Sequence, residues 1–331
     1  MKKLLSLCLV VVMALSMCMT ATAEEDYKVG FVLMNLENPV WQTMVKGMEA
    51  GAEKLGIGFQ ALGANNDVAT QIKNIENMIV QGYDAIIVQA WDTEAFADVV
   101  KQALAEGIVI CGYDDVIRDG ETGELVDYQF KWLCSNYEIG YRVGQMAAEW
   151  TKATFEGEED LPFGLLWVPE FEYHHERRQG MEDAIAAIDP RIKIVADMGG
   201  YSTESGAEAC EAWLQSHPDL KGVVACGDGP LLGYCEAWTA AGKDITDPNF
   251  GMFGNDGVDD AIDTIYEGGI LRGDVALDVY NGGAEIVEAC MTWVKGGTTE
   301  DFVIPMFNAT KDTVGEWMSN EQLYHGKYAS K

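Results

Sequence analysis

Asn38, Trp41, Trp91, Asp114, Asp115, Arg177, Tyr201, Asp228, Asn255 and Asp256 are planar polar groups and flat aromatics, the types that hold a small neutral polyol. Carboxylates and amides accept hydroxyl donors in a fixed geometry, and a guanidinium presents its donors as a rigid fork. Aromatic rings pack against the apolar faces of a saturated ring. What unites these residues is their place: each lies just beyond a short apolar, β-branched run. Asn35, Glu37, Asn38 and Trp41 follow 27–34; Gln89, Trp91 and Asp92 follow 84–88; Asp114 and Asp115 follow 108–113. Tyr173, His174, His175, Glu176 and Arg177 follow 162–168; Tyr201 follows 191–196; Asp228 follows 221–226; Asn255 and Asp256 follow 249–254. In open α/β sheets, ligands bind outside the carboxyl ends of strands, and that rule selects this set.

Other chemistry is poorly represented. The chain has no G-x-S-x-G elbow, no Walker A loop and no paired His and Cys. His174 and His175 are adjacent, so on a helix their side chains diverge and do not share a metal. Asp67 and Asp92 read as helix N-caps. Trp213, Trp238 and Trp293 recur at helical spacing and read as core. No cofactor is implied.

The positioning elements alternate. After the 27–34 strand, Asn38-Pro39 opens a helix, since Asn caps well and Pro fits the first turn. Strands over 57–62, 84–88 and 108–113 alternate with helices carrying Val68, Ile72, Ile75 and Ile79, then Phe96, Val99, Val100, Ala103 and Leu104. The alternation restarts at Pro162 with strands over 162–168, 191–196, 221–226, 249–254 and 271–277. The expected fold is α/β, two doubly wound parallel-sheet domains. Crossings are expected within 129–135, near Leu277–Asp278 and near Pro305. They give one lobe of 24–135 plus 278–305 and another of 136–277 plus 306–331, joined by a hinge of several strands.

At the start, Met1-Lys2-Lys3 is basic, 4–19 is largely apolar, and Ala21-Thr22-Ala23 precedes Glu24-Glu25-Asp26. That order reads as a leader cleaved after Ala23, leaving 308 of the 331 residues for export. Leu15-Ser16-Met17-Cys18 is a loose lipoprotein box with a bulky Met17, so an anchor on Cys18 is the alternative. The formal charge of −32 repels phosphate backbones and anionic lipid, which argues against nucleic acid as a partner. Outside the leader, Cys111, Cys134, Cys210, Cys226, Cys235 and Cys290 show no C-x-x-C spacing and read as small buried hydrophobes.

With these residues in order, the chain resembles the type I periplasmic sugar-binding proteins, the ribose- and galactose-binding family, over its whole mature length. Leu36-Glu37-Asn38-Pro39-Val40-Trp41 is similar to that family's first strand-end loop, Arg177-Arg178-Gln179-Gly180 to its R-x-x-G helix start, and Gly254-Asn255-Asp256-Gly257 to its G-aromatic-D-G turn. Tyr201 falls at a family aromatic, and Leu277 or Asp278 at the usual Gln. The resemblance implies a monomeric protein that captures a sugar or sugar derivative between its lobes and delivers it to an ABC importer's membrane permease, without catalysis. A sensory component and an enzyme on the same fold are the alternative readings. Asp115 stands where the family has Arg, Gly227 where it has Asn, and Asn255 where it has an aromatic. These departures imply a ligand with extra donors or a positive charge, such as an amino sugar.

Overall fold

A computed structural model describes residues 26–329 except Asn38, Trp91, Asp115 and Tyr201. The expected leader and cleavage site lie outside the described residues. The first half supplies β1 (Lys28–Leu33), α1 (Pro39–Leu55), β2 (Gly58–Gly63), α2 (Val68–Val80), β3 (Ala85–Val88), α3 (Ala97–Ala105), β4 (Val109–Tyr113) and β5 (Phe130–Leu133). The alternation resumes with α4 (Asn136–Thr154), β6 (Leu161–Trp167), α5 (Glu172–Ile188), β7 (Ile192–Gly199), α6 (Thr203–Ser216), β8 (Gly222–Ala225) and α7 (Asp228–Ala240). Then come β9 (Gly251–Asp256), α8 (Asp259–Glu267), β10 (Leu271–Leu277), α9 (Val279–Val294), β11 (Phe302–Val303), β12 (Met306–Thr310) and α10 (Val314–Met318).

Two six-stranded sheets result, ordered β11-β5-β4-β3-β1-β2 and β12-β10-β9-β8-β6-β7. Every pairing is parallel except β10 with β12. Inner strands such as β3 and β8 are buried along their whole length, as expected for a sheet covered by helices on both faces. The chain passes between sheets after β5, after β10 and between β11 and β12.

Local chemistry explains the elements. Asp67 accepts from the Thr70 N–H at 2.6 Å, while Ile75 and Met78 of α2 are buried. Asp92 accepts from the N–H groups of Glu94 and Ala95 and fixes the turn before α3. Trp213 and Trp238 are buried, and Trp293 packs partly buried against the core. The six cysteines among the described residues are free thiols, five of them buried.

Beyond the strands read from sequence, β5, β11 and β12 also form. β11 adds to the edge of the first sheet beside β5, and β12 to the edge of the second beside β10. Trp132 of β5 is fully buried, its ring 4.9 Å from Tyr113 and 5.8 Å from Phe302. Residues 129–135 therefore hold both an inner strand, β5, and the crossing.

The pair α4 and α5 sets the position of the site. A Cβ on Gly140 would sit 1.8 Å from the Arg177 carbonyl, and one on Gly180 would sit 2.1 Å from the Tyr137 carbonyl. The two helix backbones thus touch, which only glycine permits. Gly140→Ala should destabilise the protein by about 1–3 kcal/mol through overpacking. Gly315 of α10 faces open space, so Gly315→Ala should change stability by less than about 1 kcal/mol, in the stabilising direction. Urea unfolding of the two variants compares these outcomes.

Candidate ligand site between the two sheets

Both sheets carry the strand order 2-1-3-4-5 at their core, with order reversing beside β1 and beside β6. Ligand sites form at such reversals, outside the carboxyl ends of the strands. Arg177 stands at the second reversal, on the second turn of α5. The start of that helix is tied to β6 by His174, whose Nδ1 accepts from the Val168 N–H at 2.8 Å. Burial and the nearby Arg177 charge push the His174 pKa down to about 2, so the ring is neutral and serves as this acceptor. His175 is exposed and bonds the Pro169 carbonyl. The two imidazoles diverge, and among the described residues no His, Cys and acid cluster could hold a metal.

Arg177 is only 6% exposed. Its Nε donates to Asn136 Oδ1 at 2.9 Å and its Nη1 to the Cys226 carbonyl at 3.0 Å. Asp256 Oδ1 lies 4.0 Å from Nη1, and the Tyr173 ring centroid 5.1 Å from the guanidinium carbon. Burial alone would lower the pKa of this group. The charges of Asp256 and Asp114 and the Tyr173 ring more than offset burial, and the cation is retained.

Asp114 directly follows β4 and Asp256 ends β9, one from each sheet. Both have left-handed backbones, φ 64° and 127°. Such conformations are costly for non-glycine residues and collect where a side chain must be aimed. Asp114 Oδ1 and Asn255 Oδ1 are buried and have no hydrogen-bond donor among the described residues. Asn255 donates its amide to Asp256 Oδ1 at 2.7 Å. Burial raises the Asp256 pKa, and Arg177 works against that rise. The wall therefore offers acceptors from both sheets around one cation, a match for a ligand rich in hydroxyl donors. Burial also raises the thiol pKa of Cys134 well above normal and that of Cys226 to about 12, so neither is a thiolate nucleophile.

Of the expected site residues, Asn38, Trp91, Asp115 and Tyr201 lie outside the described residues. The shift in ligand choice expected from Asp115 lies there with them. Asp114, Arg177, Asn255 and Asp256 converge. Trp41, on the first turn of α1, is 9% exposed and packs in the core with Met34 and Met44. Asp278 caps α9, and both its oxygens accept from Asn281. Asp228 is fully buried at the start of α7, its Oδ2 accepting from the Val258 N–H at 3.0 Å. Asp278 and Asp228 thus have partners within the protein.

Asn136 and Asp274 do not stand out by the strand-end rule. Asn136 follows Ser135 at a helix start, where Asn reads as a cap. Asp274 is the lone acid inside the apolar strand β10, a visible signal. It lies against Asp228: a Cβ on Gly254 would sit 3.4 Å from Asp228 Oδ1 and 3.6 Å from Asp274 Oδ2. Two bare carboxylates at that depth would repel, and one proton donated from one to the other satisfies both. Burial and the neighbouring acid raise Asp228 well above the usual carboxyl range, and burial pushes Asp274 up to about 7.

An acid with a raised folded pKa holds its proton more tightly when folded. Its contribution is complete below the unfolded value of about 4 and is lost as pH rises through about 7. Urea unfolding should show stability falling between about pH 5 and 7.5, and Asp274→Asn should flatten that fall because the amide donates without titrating. A profile unchanged by the substitution would remove the shared proton from the account.

A model of the periplasmic binding protein domain matches residues 29–298. The ribose import binding protein of Bacillus subtilis is 29% identical over 243 residues, 73% of each chain. A putative rhizopine-binding protein of Rhizobium meliloti is 26% identical over 303 residues, 90% of this chain and 95% of its own. Among solved structures, a Mycobacterium smegmatis protein in complex with β-D-fucofuranose superposes with a TM-score of 0.80 at 23% identity, covering 89% of this chain and 95% of that one. The fold and the match over most of the chain agree: the chain belongs to the periplasmic binding protein domain family.

Proposed function

We propose that this protein captures a sugar or sugar derivative between its two lobes, 24–135 with 278–305 and 136–277 with 306–331, and delivers it to an ABC importer. The observation that carries the reading is the convergence of Asp114 from one sheet with Arg177 and Asp256 from the other. Binding groups divided this way make the closed arrangement depend on what lies between them. The relatives support the chemistry: their names include ribose import, D-apiose import and rhizopine binding. The protein acts outside the cytoplasm as a monomer, and its membrane partner is a permease. Asp114, Arg177, Asn255 and Asp256 contact the ligand, and Asn136 holds Arg177 in place.

Arg177→Ala should weaken sugar binding by about 2–5 kcal/mol, the scale for removing a buried, hydrogen-bonded charge. Asp256→Asn keeps the shape of the wall and should weaken binding by about 1–3 kcal/mol. Titration calorimetry over a sugar panel reads both, and affinity unchanged in either variant would remove that residue from the site. Small-angle scattering should show a more compact particle with saturating sugar than without it. An unchanged radius would sink ligand-driven closure.

A further inference from the structure

A cavity of about 570 Å³ opens beside Asp256. Thr43, Val279 and Tyr280 line it from the side of the first sheet, and Leu232, Trp317 and Leu323 from the side of the second. Asp256 also faces Arg177 at 4.0 Å, so this space shares a wall with the proposed sugar site without being the same space. Its volume alone lies within the ~300–1,000 Å³ that holds a small ligand. The lining has the mixture that suits a saturated ring: aromatic Trp317 and Tyr280, aliphatic Leu232 and Leu323, and the carboxylates of Asp256 and Asp259 as acceptors. Trp317 is 5% exposed, and its buried indole N–H has no acceptor among the described residues.

The outer side of the cavity is a fixed piece of the C-terminal segment. The His325 N–H donates to Asp259 Oδ1 at 3.1 Å, and the Lys327 N–H to Asp263 Oδ2 at 3.1 Å. The Tyr324 hydroxyl bonds Asp263 as well. The His325 ring stands 6.4 Å from Tyr280 of the opposite lobe. The segment that borders this space is thus anchored on α8 and brings His325 up to Tyr280.

We propose that the ligand is a two-unit saccharide or a glycoside, with its first ring at Arg177, Asp114 and Asp256 and its second unit in this cavity. The inference rests on the sugar-capture reading above and specifies the size of the molecule captured.

Calorimetry on the purified protein would compare ribose, glucose, galactose and myo-inositol with maltose, lactose, melibiose and galactinol. At least one two-unit compound should bind more tightly than its single ring by about tenfold or more. Leu232→Trp fills the cavity away from Arg177 and should abolish that gain while leaving single-ring affinity in place. Leu323→Trp fills it from the C-terminal segment and serves if the first variant melts early. Single rings binding as tightly as every two-unit compound would overturn the inference and leave sugar capture standing. So would a gain that survives both filled variants in folded form. Binding of no saccharide of either size would overturn sugar capture itself, and the inference with it.

Discussion

Burying the Arg177 guanidinium sets terms that the surrounding structure must meet. A cation taken out of water needs partners in the right directions, or it destabilises the fold by several kcal/mol. Here the partners come from separate stretches of chain: Asn136 at the start of α4, the carbonyl of Cys226 at the end of β8, and Asp256 at the end of β9. For Asn136 to reach, α4 and α5 must lie backbone to backbone, which is why Gly140 and Gly180 stand where they do. For Asp256 to reach, its backbone takes a conformation that a non-glycine residue rarely adopts. One charge thus links helix packing, strand ends and local strain.

The acids around it divide into two kinds by depth. Asp256 faces the cation and is partly exposed, while Asp228 and Asp274 lie beneath it, fully buried against each other. A charge on either of the deeper acids would repel the Asp256 carboxylate above it. Holding a proton between them removes one negative charge from beneath the site. The deep pair therefore supports the site without facing a ligand.

Much of this architecture is legible in the sequence because buried parallel strands write continuous apolar runs, and the strand-end rule then nominates the polar residues just beyond each run. β1, β3 and β8 fall within the expected limits, as do the convergent residues Asp114, Arg177, Asn255 and Asp256. The shortest strands are harder. β11 has two residues and β5 four, too few for periodicity to register. The role of Asn136 is hidden because a helix-start Asn already has an ordinary explanation. Asp278 shows the converse: its place beside the family's usual Gln suggests a ligand contact, and its side chain caps the next helix. Both roles use the same residue type at the same kind of junction, and only three-dimensional direction separates them.

The last two strands have a consequence for how the molecule comes into being. β11 pairs with β5, whose neighbourhood was laid down about 170 residues earlier, and β12 seals the other sheet at β10. Neither lobe is therefore encoded by one uninterrupted stretch. A chain emerging in order leaves β5 and β10 each without an outer neighbour until residues 302–310 arrive, and the long loop closed by the β11–β5 pairing opposes it entropically. The two sheets gain these outer strands almost together.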